Sequence, residues 1–277
     1  MAAVETRQKR LLAVIALPMA LLALSAVYPV FFTINAALKT RKGFVLDRFG
    51  LATDATFANF GQAWNQSRLS EYFTNSVVVT IGAVLALLLI SSFAGYALAI
   101  LRFRGSKIVF AIILVSLMIP VQVVLVPFYR TMIALDLINS RAGLVIAYTA
   151  FFLPFSVYLM TAFYARLPRE LFEAAQIDGA GLVQIWWHIM LPMGKPALLT
   201  LGILNTLYCW NDVLISLLVL QDKRTLMVGI AALRGEYTTN VPLLAAGIVL
   251  AAAPIVLIYI VFQRQIVSGI AVGAVKG

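Results

Sequence analysis

Residues Tyr72 to Leu101 read YFTNSVVVTIGAVLALLLISSFAGYALAIL, without a single charged side chain. About 20 apolar residues cross the hydrocarbon core as a helix, and this run exceeds that length. Lipid cannot satisfy backbone N–H and C=O groups, so such a run must pair them internally, as a helix. Charge-free runs recur at Leu11–Leu38, Ile108–Tyr129, Ala142–Ala165 and Tyr237–Gln263, and Pro196–Gln221 carries only Asp212. Six spans are therefore expected, at about 11–36, 74–100, 108–128, 142–164, 197–220 and 241–263. A β-barrel would show short alternating segments instead. The fold class is an all-α polytopic membrane protein, read as a single domain over residues 1–277.

Composition supports this reading. Hydrophobic residues make up 62% of the chain and charged residues 12%, outside the range of soluble domains. The net charge of +10 sits between the spans, where anionic headgroups attract Lys and Arg. Membrane lipid, not nucleic acid, is the partner this charge implies. Cys209 has no second cysteine to pair with, and His188 alone makes no metal site. Arg7, Lys9 and Arg10 precede an apolar run longer than the 7–15 residues of a signal-peptide core, so an uncleaved first span is expected. The loop that follows is rich in aromatics, and Thr56 to Trp64 reads as a short amphipathic helix on the membrane.

Lys and Arg divide almost evenly between the two sides and decide no orientation. The dense tight loop Arg104–Lys107, with Arg102, favours the cytoplasm.

Residues 165–196 form a polar island between two apolar runs. Pro168 suits a first helical turn, and Glu170 in that turn complements the helix dipole. Leu167, Leu171, Ala174 and Ala175 give an apolar stripe, and Gly179 and Gly181 can end the helix with a left-handed turn. A second helix is expected from Leu182 to Met190, stopped by Pro192 and Pro196. The product is a helix–turn–helix knuckle with small residues at its tip. Glu173 and Asp178 can accept hydrogen bonds from basic groups of a docked surface.

Within the island stand Glu173-Ala174-Ala175, three residues, Gly179, nine residues, then Ile189-Met190-Leu191-Pro192. This spacing resembles the cytoplasmic loop of the permease subunits of bacterial ABC importers, and EAAQIDGA resembles the carbohydrate-uptake branch that includes the maltose permeases. Asn75-Ser76, Met118-Ile119-Pro120 with Pro127, Trp210-Asn211-Asp212 and the stretch Gly269 to Gly277 are similar to further family motifs. The resemblance implies a type I importer permease fold with cytoplasmic coupling helices. It assigns ATPase coupling to Glu173, Ala174, Ala175, Asp178, Gly179, Leu191 and Pro192. It also implies docking of a tail with Gly273, Lys276 and Gly277 at the ATPase. The implied partners are a second homologous permease, two copies of an ATPase subunit, an extracytoplasmic solute-binding protein and a sugar-like substrate. The implied location is the bacterial inner membrane, multi-pass, with both termini cytoplasmic. Gly269, Gly273 and Gly277 make that tail a poor helix on its own.

Asp212 is the one acidic group inside a span, where a carboxylate facing lipid costs about 2.5–3.5 kcal/mol. It must face protein or water. It reads either as a gate or sugar-hydroxyl acceptor, or as a structural cap bonded to a neighbouring loop or to Arg130 or Arg141. Aromatic and amide side chains in the spans supply candidates for a sugar path: Gln122, Phe152, Phe155, Tyr208, Trp210 and Asn211, with Asp212. Packing and interfacial belts are the commoner use of such aromatics. No phosphate-binding GxxxxGK[ST] loop occurs, so the chain is not the ATPase, it binds no cofactor, and ATP with Mg belongs to a partner. The rival reading is a secondary transporter driven by an ion gradient. That class carries inverted repeats and buried coupling charges, and this chain shows neither.

Overall fold

A computed structural model describes the backbone of residues 2–65, 67–101, 103–236 and 240–274, and their side chains except in 2–15, 17, 234–236 and 264–274. Among the described residues every regular element is helical. In chain order they are α1 (Ala2–Leu38), α2 (Arg41–Leu46), α3 (Ala58–Asn65), α4 (Leu69–Tyr96), α5 (Ser106–Ser116), α6 (Val121–Ala134) and α7 (Arg141–Tyr164). There follow α8 (Glu170–Ile177), α9 (Leu182–Ile185), α10 (Leu191–Met193), α11 (Lys195–Asn211), α12 (Leu214–Val219), α13 (Leu226–Glu236) and α14 (Val241–Ala274). Two π-helical turns, π1 (Ala97–Leu101) and π2 (Trp186–Met190), extend α4 and join α9 to α10. Residues pack as two compact units, 1–69 with 230–253 and 70–229 with 254–277.

Among the described residues four helical stretches are long and apolar enough to cross a membrane: Pro18–Leu38, Leu69–Leu101, Arg141–Tyr164 and Val241–Gln263. Their outer faces expose leucine, valine and isoleucine, which only lipid or another chain can cover favourably. The third expected span is broken. α5 and α6 pass the same test together but bend by 104° across Leu117–Pro120. Pro120 has φ −62° and ψ 133°, and a proline also pushes the residue before it away from helical backbone. Pro127 is accommodated inside α6.

The fifth expected span, 197–220, is not one helix either. α11 stops at Asn211, Asp212 is extended with ψ 132°, and α12 starts afresh. The physical reason is the Asp212 carboxylate. It accepts from the backbone N–H of Ile215 at 3.3 Å and of Ser216 at 2.8 Å, satisfying donors that every helix start leaves open.

In the first unit, the loop after α1 is ordered by side chains. Asn59 on α3 donates to the carbonyls of Ala37 and Lys39, both at 2.8 Å. Asn35 donates to Gly50 O and accepts from Ala52 N. The amide of Gly50, with that of Phe49, bonds the exposed Asp47 carboxylate and holds it below the usual carboxylate range. The helix expected near 56–64 is α3, entered through Thr56, whose Oγ1 accepts from Ala58 N.

In the second unit α7 is the central element, packed by α5, π1, α11 and α12. Two apolar clusters lie along it. One holds Val79, Leu144, Tyr148, Cys209 and Ile215, and the other Tyr96, Met160, Tyr164, Ile185 and Leu201. Helical backbone continues from the sixth span through Gly269 and Gly273 to Ala274, so this stretch does not stand as a helix on its own. Apolar residues from Val241 onward supply a long helix that the glycines merely extend, once nucleation is done. Lys276 and Gly277 lie outside the described residues.

Candidate functional site: the coupling loop and the Asp212 cluster

The polar island folds as the expected knuckle. Arg169 precedes α8 without a side-chain capping bond, and Glu170 and Glu173 occupy the first turn. Pro168 precedes the helix and is not within its first turn. The helix closes at Gly179, which has φ +80°. Its N–H bonds Gln176 O and the N–H of Ala180 bonds Ala175 O, both at 3.0 Å. That pair of bonds is a Schellman closure, which needs a left-handed residue at the position Gly179 fills.

Gly181 instead has φ −69° and ψ 157° and starts the second helix, where its N–H donates to Gln184 Oε1 at 2.9 Å. Pro192 does not stop that helix. Helical backbone runs on to Met193, and the wide π2 turn just before it spaces the chain around the proline ring. Pro196 sits in the first turn of α11.

The buried stripe of α8 is Phe172 and Ala175, one turn apart; Leu171 and Ala174 are exposed. Glu173, Asp178 and Gly179 are exposed too, and nothing lies within 4 Å of where a Gly179 Cβ would stand. Ile177 is 86% exposed, with Leu182 and Val183 beside it in sequence across the turn. The tip is thus an apolar, small-residue surface flanked by carboxylates. Leu191 and Pro192 stand about ten residues further on, roughly 15 Å along a helix. They border an open groove of about 520 Å³ with Leu88 and Lys195.

The residues that sequence patterns point to as a path fall into four places. Phe152, Tyr208 and Asp212 come together, with Tyr148 touching both Phe152 and Asp212. Tyr148 donates to Asp212 Oδ2 at 3.0 Å, Phe152 lies 5.8 Å from Tyr148, and Tyr208 stacks on Phe152 at 5.6 Å and 22°. Asn211 is exposed beside them and returns its Nδ2 to Leu207 O. Trp210 turns away, buried against Phe73 at 5.6 Å. Phe155 packs in the other cluster, and Gln122 is exposed in the first turn of α6.

Asp212 takes Tyr148 as its side-chain partner and the α12 amides as its backbone partners. Beyond it, Ser216 Oγ accepts from Thr225 Oγ1, and Leu226 N donates to Ser76 Oγ. Asn75 donates at once to Lys223 O and Arg224 O, both at 3.0 Å. The Asn75-Ser76 pair thus staples the 223–226 turn to the head of α4. Sequence reasoning missed Tyr148 as the carboxylate's partner, and missed Ser92, Tyr96 and Trp186 altogether. A polar residue inside an apolar run was the available signal, since each must find a partner.

Residues 88–272 match the family described as binding-protein-dependent transport system inner membrane component. The chain belongs to that family. It is similar, at 32% identity over the whole of both chains, to the melibiose/raffinose/stachyose import permease protein MelC of Bacillus subtilis. It is 36% identical to the arabinooligosaccharides transport system permease protein AraQ of Halalkalibacterium halodurans, over 93% of this chain and 94% of the relative. Its fold matches, with TM-score 0.83 and 24% identity, a chain of a bacterial ABC transporter involved in the import of the acidic polysaccharide alginate. That match covers 93% of this chain and 97% of the other.

As a member of the family, the chain is a multi-pass inner-membrane transport subunit, not an enzyme. Members work with a solute-binding protein and an ATPase. The ion-gradient alternative is not favoured.

Proposed function

We propose that this chain forms half of the path of an ATP-driven importer for a sugar or sugar-like solute. A second homologous permease supplies the other half, two ATPase copies dock below, and an extracytoplasmic binding protein delivers the solute. The observation that carries this reading is the knuckle tip: an exposed Schellman turn at Gly179 with open space in front of it, in a chain whose relatives import oligosaccharides.

In this reading Glu173, Ala174, Asp178 and Gly179 engage a groove on the ATPase, Ala175 anchors the helix beneath them from its buried face, and Leu191 and Pro192 support them. ATP and Mg stay on the ATPase, and this chain binds no cofactor. Both termini are cytoplasmic, and the segment with Gly273, Lys276 and Gly277 docks at the ATPase. The stacked Phe152 and Tyr208, with Asn211 alongside, offer the ring faces and amide that sugar recognition uses. Gln122 and Asp212 belong to the proposed path, while Trp210, buried against Phe73, and Phe155, packed in the other cluster, serve packing instead. Asp212 acts there mainly by holding the break between α11 and α12 open.

The test is uptake by the whole complex in liposomes at zero ion gradient. The probes are the oligosaccharides raffinose and arabinotriose, each offered with the cognate binding protein. Uptake that requires ATP on the cytoplasmic side supports the reading. Uptake driven by a proton or sodium gradient without ATP would sink it.

A further inference from the structure

The coupling loop is joined by the chain to α7 and α11, yet the structure also ties it to α4. Trp186 Nε1 donates to Ser92 Oγ at 3.0 Å, and the same hydroxyl bonds the Tyr164 hydroxyl at 3.0 Å. One turn further along α4, the Tyr96 hydroxyl donates to Leu182 O at 3.3 Å. Aromatic faces back these bonds. Phe93 meets Trp186 edge-on at 5.3 Å, and Tyr96 meets Phe172 of α8 at 6.3 Å.

Consecutive turns of α4 therefore hold both helices of the knuckle. Ser92, Tyr96 and Tyr164 are fully buried. Each side of the contact is π-helical: π1 begins right after Tyr96, and π2 begins at Trp186. A π turn inside a helix is uncommon and marks places of functional demand.

We propose that Ser92 and Tyr96 are the positioning residues that lock the knuckle to α4, so that the second span moves with the coupling loop as one lever. This rests on the coupling reading above. Covalent connection alone would move α7 and α11 and leave α4 to follow by packing. Ser92 can accept the indole proton while sharing its own proton with Tyr164, so one hydroxyl fixes the loop, α4 and α7 at a single point. The low-dielectric surroundings strengthen such a shared bond and make its loss costly.

The test uses the full complex, with spin labels at Ile90→Cys on α4 and Val183→Cys on the knuckle in a Cys209→Ser background. Both label sites are exposed. Distances are measured nucleotide-free and after trapping with ATP and vanadate. The proposal expects one narrow distance in both states. Ser92→Ala, Trp186→Phe and Tyr96→Phe should each broaden the distribution or make it shift on trapping. Each should also lower binding-protein-stimulated ATP hydrolysis about two- to tenfold, the range one or two ordinary hydrogen bonds convert to. Trp186→Phe should add little to Ser92→Ala, because both remove the same bond.

Where Ser92→Ala prevents assembly, the two phenylalanine variants decide, since both keep an aromatic ring in place. A wild-type distance that changes on trapping overturns the lever. So do variants that lower only the melting temperature while distance and hydrolysis stay as in wild type. A separate measurement, ATPase binding to Gly179→Val, tests the coupling reading itself. Undiminished binding there would remove the tip as the docking surface, while leaving the α4 distances to be judged by themselves.

Discussion

The Tyr148 hydroxyl donates to Asp212 Oδ2 at 3.0 Å, and the same oxygen accepts from Ser216 N at 2.8 Å. One carboxylate thus joins the first third of the fourth span to the start of α12. Substitutions should separate these two jobs. Asp212→Asn keeps an oxygen acceptor for the cap, so it should cost less than Asp212→Ala, which loses about 1 kcal/mol of capping and strands Tyr148 as well. Thermal unfolding of the purified complex in detergent checks this. Equal melting temperatures for both variants would show that Asp212 is not a cap.

Asn75 donates two bonds to backbone carbonyls of the 223–224 turn. Asn75→Ala removes both donors. Asn75→Asp should be worse, since a carboxylate would face two carbonyl oxygens across about 3 Å with no proton to share. Hydrogen exchange of Thr225 and Leu226 amides should rise in the order wild type, Ala, Asp. A reversed order would refute the staple.

Gly179 has φ +80° and open space on the side where a Cβ would stand, so a substituent meets backbone strain and no neighbour. Left-handed backbone costs an ordinary residue roughly 1–2 kcal/mol, and asparagine tolerates it best. Gly179→Asn should therefore assemble and couple better than Gly179→Ala, and Gly179→Val should be poorest. ATP hydrolysis stimulated by the binding protein gives the ranking. Full stimulation in Gly179→Val would count against both the turn and the docking role.

Gly194 is tight against the fourth span. A Cβ there would stand 2.6 Å from the Tyr164 hydroxyl and 3.1 Å from Met190 O. Gly194→Ala should destabilise by about 1–3 kcal/mol through overpacking. Adding Tyr164→Phe removes the hydroxyl and should recover part of that loss, despite sacrificing the bond to Ser92. Melting temperatures of the single and double variants give the coupling. Strict additivity would place the clash elsewhere.

Much of this architecture is legible in the chain because lipid is an undemanding solvent to read. Charge-free runs longer than a bilayer thickness have one backbone solution, so Leu69–Leu101 and Arg141–Tyr164 follow from composition alone. The Schellman turn at Gly179 is likewise local: a glycine after a short helical stretch with an apolar stripe is enough to close the helix. The family resemblance is carried by the spacing of Glu173, Gly179 and Pro192, and the match over residues 88–272 that shows membership is likewise sequence information.

Tertiary structure decided what local rules leave open. Pro120 and Pro127 look alike in the chain, yet only Pro120 breaks the helix, because residues 117–120 turn while Pro127 finds its place within α6. Asp212 lies in an apolar run that reads as continuous, and its capping of α12 becomes visible only with Tyr148 beside it, 64 positions away in sequence. Ser92 and Trp186 are 94 positions apart, and nothing in either neighbourhood names the other. A hydrogen-bond partner is chosen by which helix faces pack, and packing is a property of the whole fold. Charge-free run length and motif spacing therefore determined the helical class, the unbroken spans, the knuckle and the family resemblance. The partners of the buried polar side chains, and with them the link from coupling loop to second span, were set by the three-dimensional arrangement alone.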